Sequence, residues 1–85
     1  MIDVVIYTRA FCSYCSWAKE LLRCKGVTFQ EIDVTGSHER RTEMIRRANG
    51  GSMTPQIFIG STHVGGCDEL YELERAGRLD ALLAA

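Results

Sequence analysis

The 85 residues leave room for one domain, spanning 1–85, with a core made by a few well-packed elements. A hydrophobic share of 46% and a charged share of 25% are those of a globular chain and argue against disorder. The net charge of -1 gives neither nucleic acid nor an anionic membrane a reason to bind, and no stretch approaches membrane-spanning length.

In chain order, Val4-Val5-Ile6 is a continuous β-branched run and reads as a buried central strand, with Thr8–Phe11 as the loop after it. From Ser13 to Lys25 the apolar residues Tyr14, Trp17, Ala18, Leu21 and Leu22 recur at helical spacing, and Gly26 stops the helix. Val27–Val34 is expected to form a second strand. Ser37 is placed to cap a second helix running to about Asn49, with Met44, Ile45 and Ala48 turned inward and Gly50-Gly51 ending it. Gln56–Ile59 and Thr62–Val64 flank Gly60-Ser61, a type II′ hairpin signal. Gly65-Gly66 leads into a helix over about Cys67–Ala76, with acids in its first turns, and Leu79, Leu82 and Leu83 make a terminal amphipathic turn. The order β-α-β-α-β-β-α implies an α/β fold: one four-stranded mixed sheet flanked by helices.

Four cysteines in so short a chain raise the possibility of a secreted disulfide scaffold. The opening Met1–Tyr7 has no basic segment and too short an apolar run for a signal peptide, and the regular elements need no staples. Reduced thiols in a cytoplasm are therefore expected, with at least one pair chemically active. That pair is Cys12-Ser13-Tyr14-Cys15, lying between a strand end and a helix start. A helix N-terminus offers free N–H groups and positive partial charge, which favour the thiolate, the nucleophile of disulfide exchange. Cys12 occupies that position, Cys15 lies one turn in, and Arg9 adds a permanent positive charge nearby. A zinc site is the competing reading, but there is no second CxxC, and Cys24, Cys67, His38 and His63 lack ligand spacing, so no resident metal is expected. Cys24, Trp17 and the arginines at 40, 41, 46 and 47 read as structural or solvated, and Glu43 with Arg47 as an ordinary i,i+4 pair.

Three stretches, Tyr7-Thr8-Arg9-Ala10-Phe11-Cys12-Ser13-Tyr14-Cys15, Thr54-Pro55-Gln56-Ile57-Phe58-Ile59 and Gly65-Gly66-Cys67-Asp68, resemble in order the signatures of dithiol glutaredoxins, and the resemblance extends to Leu70-Tyr71 and Gly77-Arg78-Leu79-Asp80. It is nearest the short bacterial form of that family. The resemblance implies a thioredoxin fold in its minimal four-stranded form and a glutathione-dependent thiol-disulfide oxidoreductase. In that reading Cys12 attacks and Cys15 resolves. Arg9, Tyr14, Thr54, Pro55, Gly66, Cys67 and Asp68 bind glutathione, with Pro55 cis, the backbone beside it pairing with the glutathione cysteine, and Asp68 taking the γ-glutamyl ammonium. Family couples lie at roughly −200 to −230 mV, near the glutathione pool. Partners so implied are glutathione and disulfide-bearing or glutathionylated proteins, ribonucleotide reductase among the candidates, met by a monomer. An alternative role is a dimeric [2Fe–2S] scaffold held by Cys12 and glutathione.

The chain departs from the family pattern in three places. Arg9 stands where lysine is usual, Ser13 replaces a proline, and Gly51-Ser52-Met53-Thr54 replaces a stretch that usually holds a basic residue, for which Arg41 is the candidate substitute.

Overall fold

The computed structural model describes residues 2–85. Four strands form one sheet in the order β2-β1-β3-β4: β1 is Val4–Thr8, β2 Gln30–Asp33, β3 Gln56–Ile59 and β4 Thr62–Gly65. β1 pairs parallel with β2 and antiparallel with β3, and β3 pairs antiparallel with β4, so the sheet is mixed as expected for a thioredoxin fold. The helices are α1 (Ser13–Cys24), α2 (His38–Arg47), α3 (Cys67–Arg75) and α4 (Leu79–Ala84).

Because successive strand residues point to opposite faces, the apolar run of β1 serves two cores. Val4 and Ile6 join Ile57, Ile59, Ala18, Leu22, Cys67, Leu70 and Leu79 on one side. Tyr7 joins Phe58, Val34, Met44 and Ala48 on the other, under α2. The hairpin turns at Gly60, whose φ of +59° beside a conventional Ser61 is what a type II′ turn requires. Ser37 caps α2, its Oγ accepting from Arg40 N–H at 3.2 Å. That helix ends at Arg47, slightly earlier than expected: Asn49 turns left-handed at φ +53° and Gly50 N–H returns to the Ile45 carbonyl at 2.8 Å.

Three further expectations change. The second strand begins at Gln30, not Val27, because pairing with β1 starts at Val5↔Gln30; Val27 and Phe29 instead come off the α1 C-terminus and pack on the first core from outside the sheet. The terminal turn is a full helix, α4, which buries Leu79. The buried stripe of α1 is Cys15, Ala18 and Leu22, one step round from the aromatic positions, so Trp17 is not core packing but 51% exposed, edge-on to Tyr14 at 5.3 Å.

Candidate functional site

Phe11 delivers the chain to the site. It adopts φ +57°, unusual for a bulky residue, with its ring fully exposed, and that turn sets Cys12 in extended backbone as the N-cap of α1. The Cys12 sulfur accepts the Cys15 N–H at 3.2 Å, taking the place a serine or aspartate oxygen holds at other caps. Across from it lies Thr54, in a cis peptide bond with Pro55. The Thr54 hydroxyl donates to Cys12 Sγ at 3.8 Å, and the Cys12 thiol is within 3.8 Å of the Thr54 carbonyl.

These contacts separate the two thiols. Burial alone would push Cys12 up, but hydrogen bonds from the Cys15 side chain and backbone and from Thr54, with the Arg9 charge last, outweigh it and hold the thiol below its ordinary value. Cys15, 2% exposed in the first core, is pushed up to about 11 by burial and by donating its proton toward Cys12. All four cysteines are free. Cys12 is thus the more acidic thiol of the pair, and Cys15, one helical turn away, holds its proton.

The expected binding residues fall on two sides of Cys12. Tyr14, Thr54, Pro55, Gly66, Cys67 and Asp68 line one groove of about 470 Å3, together with Met53 and Gln56. Arg9 does not share it: it lines a neighbouring cleft with Cys12, Cys15, Lys19 and Glu31, and reaches the groove only through Thr54, to whose Oγ1 its Nε donates at 3.0 Å. Arg41, the candidate basic substitute, is exposed on α2 and is not among the lining residues of the groove. At the far end of the groove α3 begins. The Gly66 N–H is already taken by the Glu69 carboxylate at 2.7 Å, which leaves the first-turn N–H groups from Cys67 onward to face an anion. Gly65, at φ +112°, is needed there, since a Cβ would lie 2.9 Å from Glu69 Oε1. Asp68 is exposed beside these donors and makes no ion pair among the described residues. Cys67 is buried, and burial, then the charges of Asp68 and Cys12, push its thiol up, so it is no second nucleophile.

The sequence reading missed the cleft wall behind Cys15. There Glu31 accepts from the Thr8 hydroxyl at 2.7 Å and from Lys19 at 3.0 Å, which holds its carboxyl low. The parallel register Ile6↔Glu31 and Thr8↔Asp33 makes that cluster, and no local motif announces it. Likewise Glu43 and Arg47 meet through the Tyr7 phenol, which accepts from Arg47 at 2.8 Å and lies 3.3 Å from Glu43. No group of three or more metal-ligating side chains exists among the described residues.

Comparison with known proteins agrees with this geometry. The Glutaredoxin family profile matches residues 4–64. The chain is 61% identical to Glutaredoxin of Pseudomonas aeruginosa over 85 residues, covering all of both chains. It is 52% identical to Glutaredoxin 3 of Escherichia coli over 83 residues, or 98% of this chain and 99% of the other. Among solved structures, glutaredoxin from Brucella melitensis superposes with a TM-score of 0.84 at 57% identity, covering 98% of this chain and 89% of that one. A buckwheat glutaredoxin–glutathione complex gives 0.87 at 29% identity, covering 98% and 77%. A thiol capping α1, a cis-proline opposite it and this agreement along nearly the whole chain establish that it belongs to the glutaredoxin family, the thiol oxidoreductases of the thioredoxin fold.

Proposed function

We propose that this chain reduces glutathione mixed disulfides and protein disulfides in a reducing, cytoplasmic compartment, with glutathione as the electron donor. The observation that carries the reading is the groove that runs from Thr54-Pro55, against Cys12, to Asp68 and the free N–H groups of α3. Its length offers an anion donor and a carboxylate at one end and a thiol partner at the other, the chemistry of a γ-glutamyl-cysteinyl peptide. The buckwheat relative is a glutathione complex, which supports the same assignment.

In this reading the Cys12 thiolate attacks the glutathione sulfur of a mixed disulfide. The S–S bond breaks, the client leaves as a thiol after taking a proton, and a Cys12–glutathione disulfide forms. A second glutathione thiolate attacks that disulfide, releasing the Cys12 thiolate and glutathione disulfide. With a protein disulfide, Cys12 attacks one client sulfur. Cys15 then gives up its proton and attacks Cys12, the client departs as a dithiol, and two glutathiones reduce the Cys12–Cys15 bond. Both electrons come from glutathione in each case.

Cys12→Ser is expected to abolish both activities, since no other thiol caps a helix. Cys15→Ser is expected to keep the mixed-disulfide activity and lose reduction of protein disulfides. Equal loss in both variants would overturn the division of roles.

A second reading rests on Ser13, the first residue of α1, where a proline would stiffen the turn carrying Cys12. A [2Fe–2S] cluster takes four thiolates, and with Cys15 and Cys67 buried each chain offers one at this site, so two chains and two glutathiones would be required. Anaerobic reconstitution with iron, sulfide and glutathione tests it. A coloured dimer that Ser13→Pro abolishes supports the role, and a colourless monomer excludes it.

A further inference from the structure

Gln56 is one of only two buried polar or charged side chains among the described residues, 7% exposed, and it immediately follows the cis-proline. Its amide is used at both ends. Nε2 donates to the Met53 carbonyl at 2.8 Å, and Oε1 lies 2.7 Å from His63 Nε2. The orientation is fixed by chemistry: a carbonyl only accepts, so the nitrogen faces Met53, the oxygen faces His63, and His63 Nε2 carries the hydrogen. His63 is held in turn by stacking on Phe58, with ring centroids 4.8 Å apart. Gly51 makes room for the arrangement, since a Cβ there would lie 3.0 Å from Gln56 Nε2 and 3.3 Å from Ala48 Cβ.

From this we infer that Gly51, Gln56 and His63 form a latch that positions Thr54 against Cys12. The bond from Gln56 back to Met53 closes residues 53–56 on themselves and fixes the peptide that carries Thr54. Thr54 has three duties at that place: its hydroxyl accepts from Arg9, the same hydroxyl donates to Cys12 Sγ, and its carbonyl faces the Cys12 thiol. Letting Met53 swing frees Thr54 from all three. None of the three touches the reacting sulfur, and His63, which reaches the site through Gln56, lies outside the groove that Gly51 and Gln56 line, so the three are positioning residues. The exposed edge strand β4 thereby gains a role in setting the thiol that its hairpin register, Phe58↔His63, brings about.

The effect on substrate rests on the glutathione reading above; the effect on Cys12 does not. The test uses the full chain in four variants. His63→Phe keeps a ring to stack on Phe58 and loses the donor. Gly51→Ala pushes the Gln56 amide from Met53 and leaves both partners in place. Gln56→Leu removes both bonds, and His63→Gln restores a donor to Gln56. The first three are expected to raise the KM for a glutathione mixed disulfide about threefold to tenfold, the span of one hydrogen bond, with kcat changed less. They are also expected to move the Cys12 thiolate midpoint upward, and His63→Gln to return both readouts toward wild type. Lowered thermal midpoints with KM and the Cys12 titration unchanged would show a merely structural contact and overturn the inference. If wild type itself shows no saturable glutathione dependence while the Cys12 midpoint still moves in the variants, the glutathione reading fails and the latch stands.

Discussion

Replacing Cys15 by alanine removes the strongest single support of the Cys12 thiolate, and replacing it by serine does not. Burial works against a charged Cys12, and the largest opposing contribution is the hydrogen bond from the Cys15 side chain. A hydrogen bond to a charged group is worth about 1.5–3 kcal/mol. A thiol is a weak donor and Cys12 is partly open to water, so about 1 kcal/mol is the expected share here. At 1.36 kcal/mol per pH unit this lifts the Cys12 midpoint by about 0.5–1 unit in Cys15→Ala. In Cys15→Ser a hydroxyl still donates, and the midpoint should stay within about 0.3 unit of wild type, since the Cys15 N–H bond survives in both variants. Ultraviolet thiolate absorbance against pH, in a Cys24→Ser and Cys67→Ser background under reducing gas, measures both. Coincident curves for the alanine and serine variants would refute the reasoning and leave the backbone N–H and Thr54 as the agents.

If the groove holds glutathione as proposed, Asp68→Ala is expected to raise the KM for glutathione with little change in kcat, because the carboxylate lines the groove without Cys12 and would contribute uniform binding; steady-state kinetics checks it. Phe11→Gly relieves a left-handed backbone at a residue whose ring buries nothing, so the fold should gain about 0.5–1 kcal/mol, read from urea midpoints. Cys15 is held at about 11 against an ordinary 9.0, so the folded chain binds that proton more tightly than the unfolded one. The stability it contributes is full below pH 9 and is lost as pH rises toward 11, up to about 2 kcal/mol by linkage. Urea unfolding at alkaline pH without oxygen should show this decline in wild type and lack it in Cys15→Ala.

Elements with strong local punctuation were legible from residues alone. Ser37 ahead of an amphipathic run, Gly26 after one and Gly60-Ser61 between two short strands each encode their own geometry. What escaped depends on pairing between distant segments. Nothing in Val27-Thr28-Phe29 says that β1 will not reach it; only the register Val5↔Gln30 does. The inward face of α1 was misjudged because aromatic residues at Tyr14 and Trp17 imitate a core stripe, while the true stripe begins with a cysteine. The same limit hid the latch. Gln56 reads as a polar residue at a strand start and His63 as an edge-strand residue, and they meet only because the hairpin folds them side by side.

The pair Cys12 and Cys15 was legible as spacing, but spacing alone does not rank the two thiols. One turn of α1 does, by spanning the boundary between solvent and core. Position 12 is the cap, where the Cys15 N–H reaches the sulfur and the sulfur stays partly exposed; position 15 is the first residue of the buried stripe, where a thiolate loses its hydration. The proton that Cys15 keeps is the one it shares toward Cys12, so in the proposed mechanism the same bond readies the attacker and silences the resolver. Once Cys12 enters a disulfide its charge is gone, and with it both that bond and the repulsion that helped hold Cys15 protonated. In the proposed mechanism burial still holds the Cys15 proton, but the share of the hold that comes from Cys12 is released only once Cys12 has reacted, which places the attack by Cys15 second.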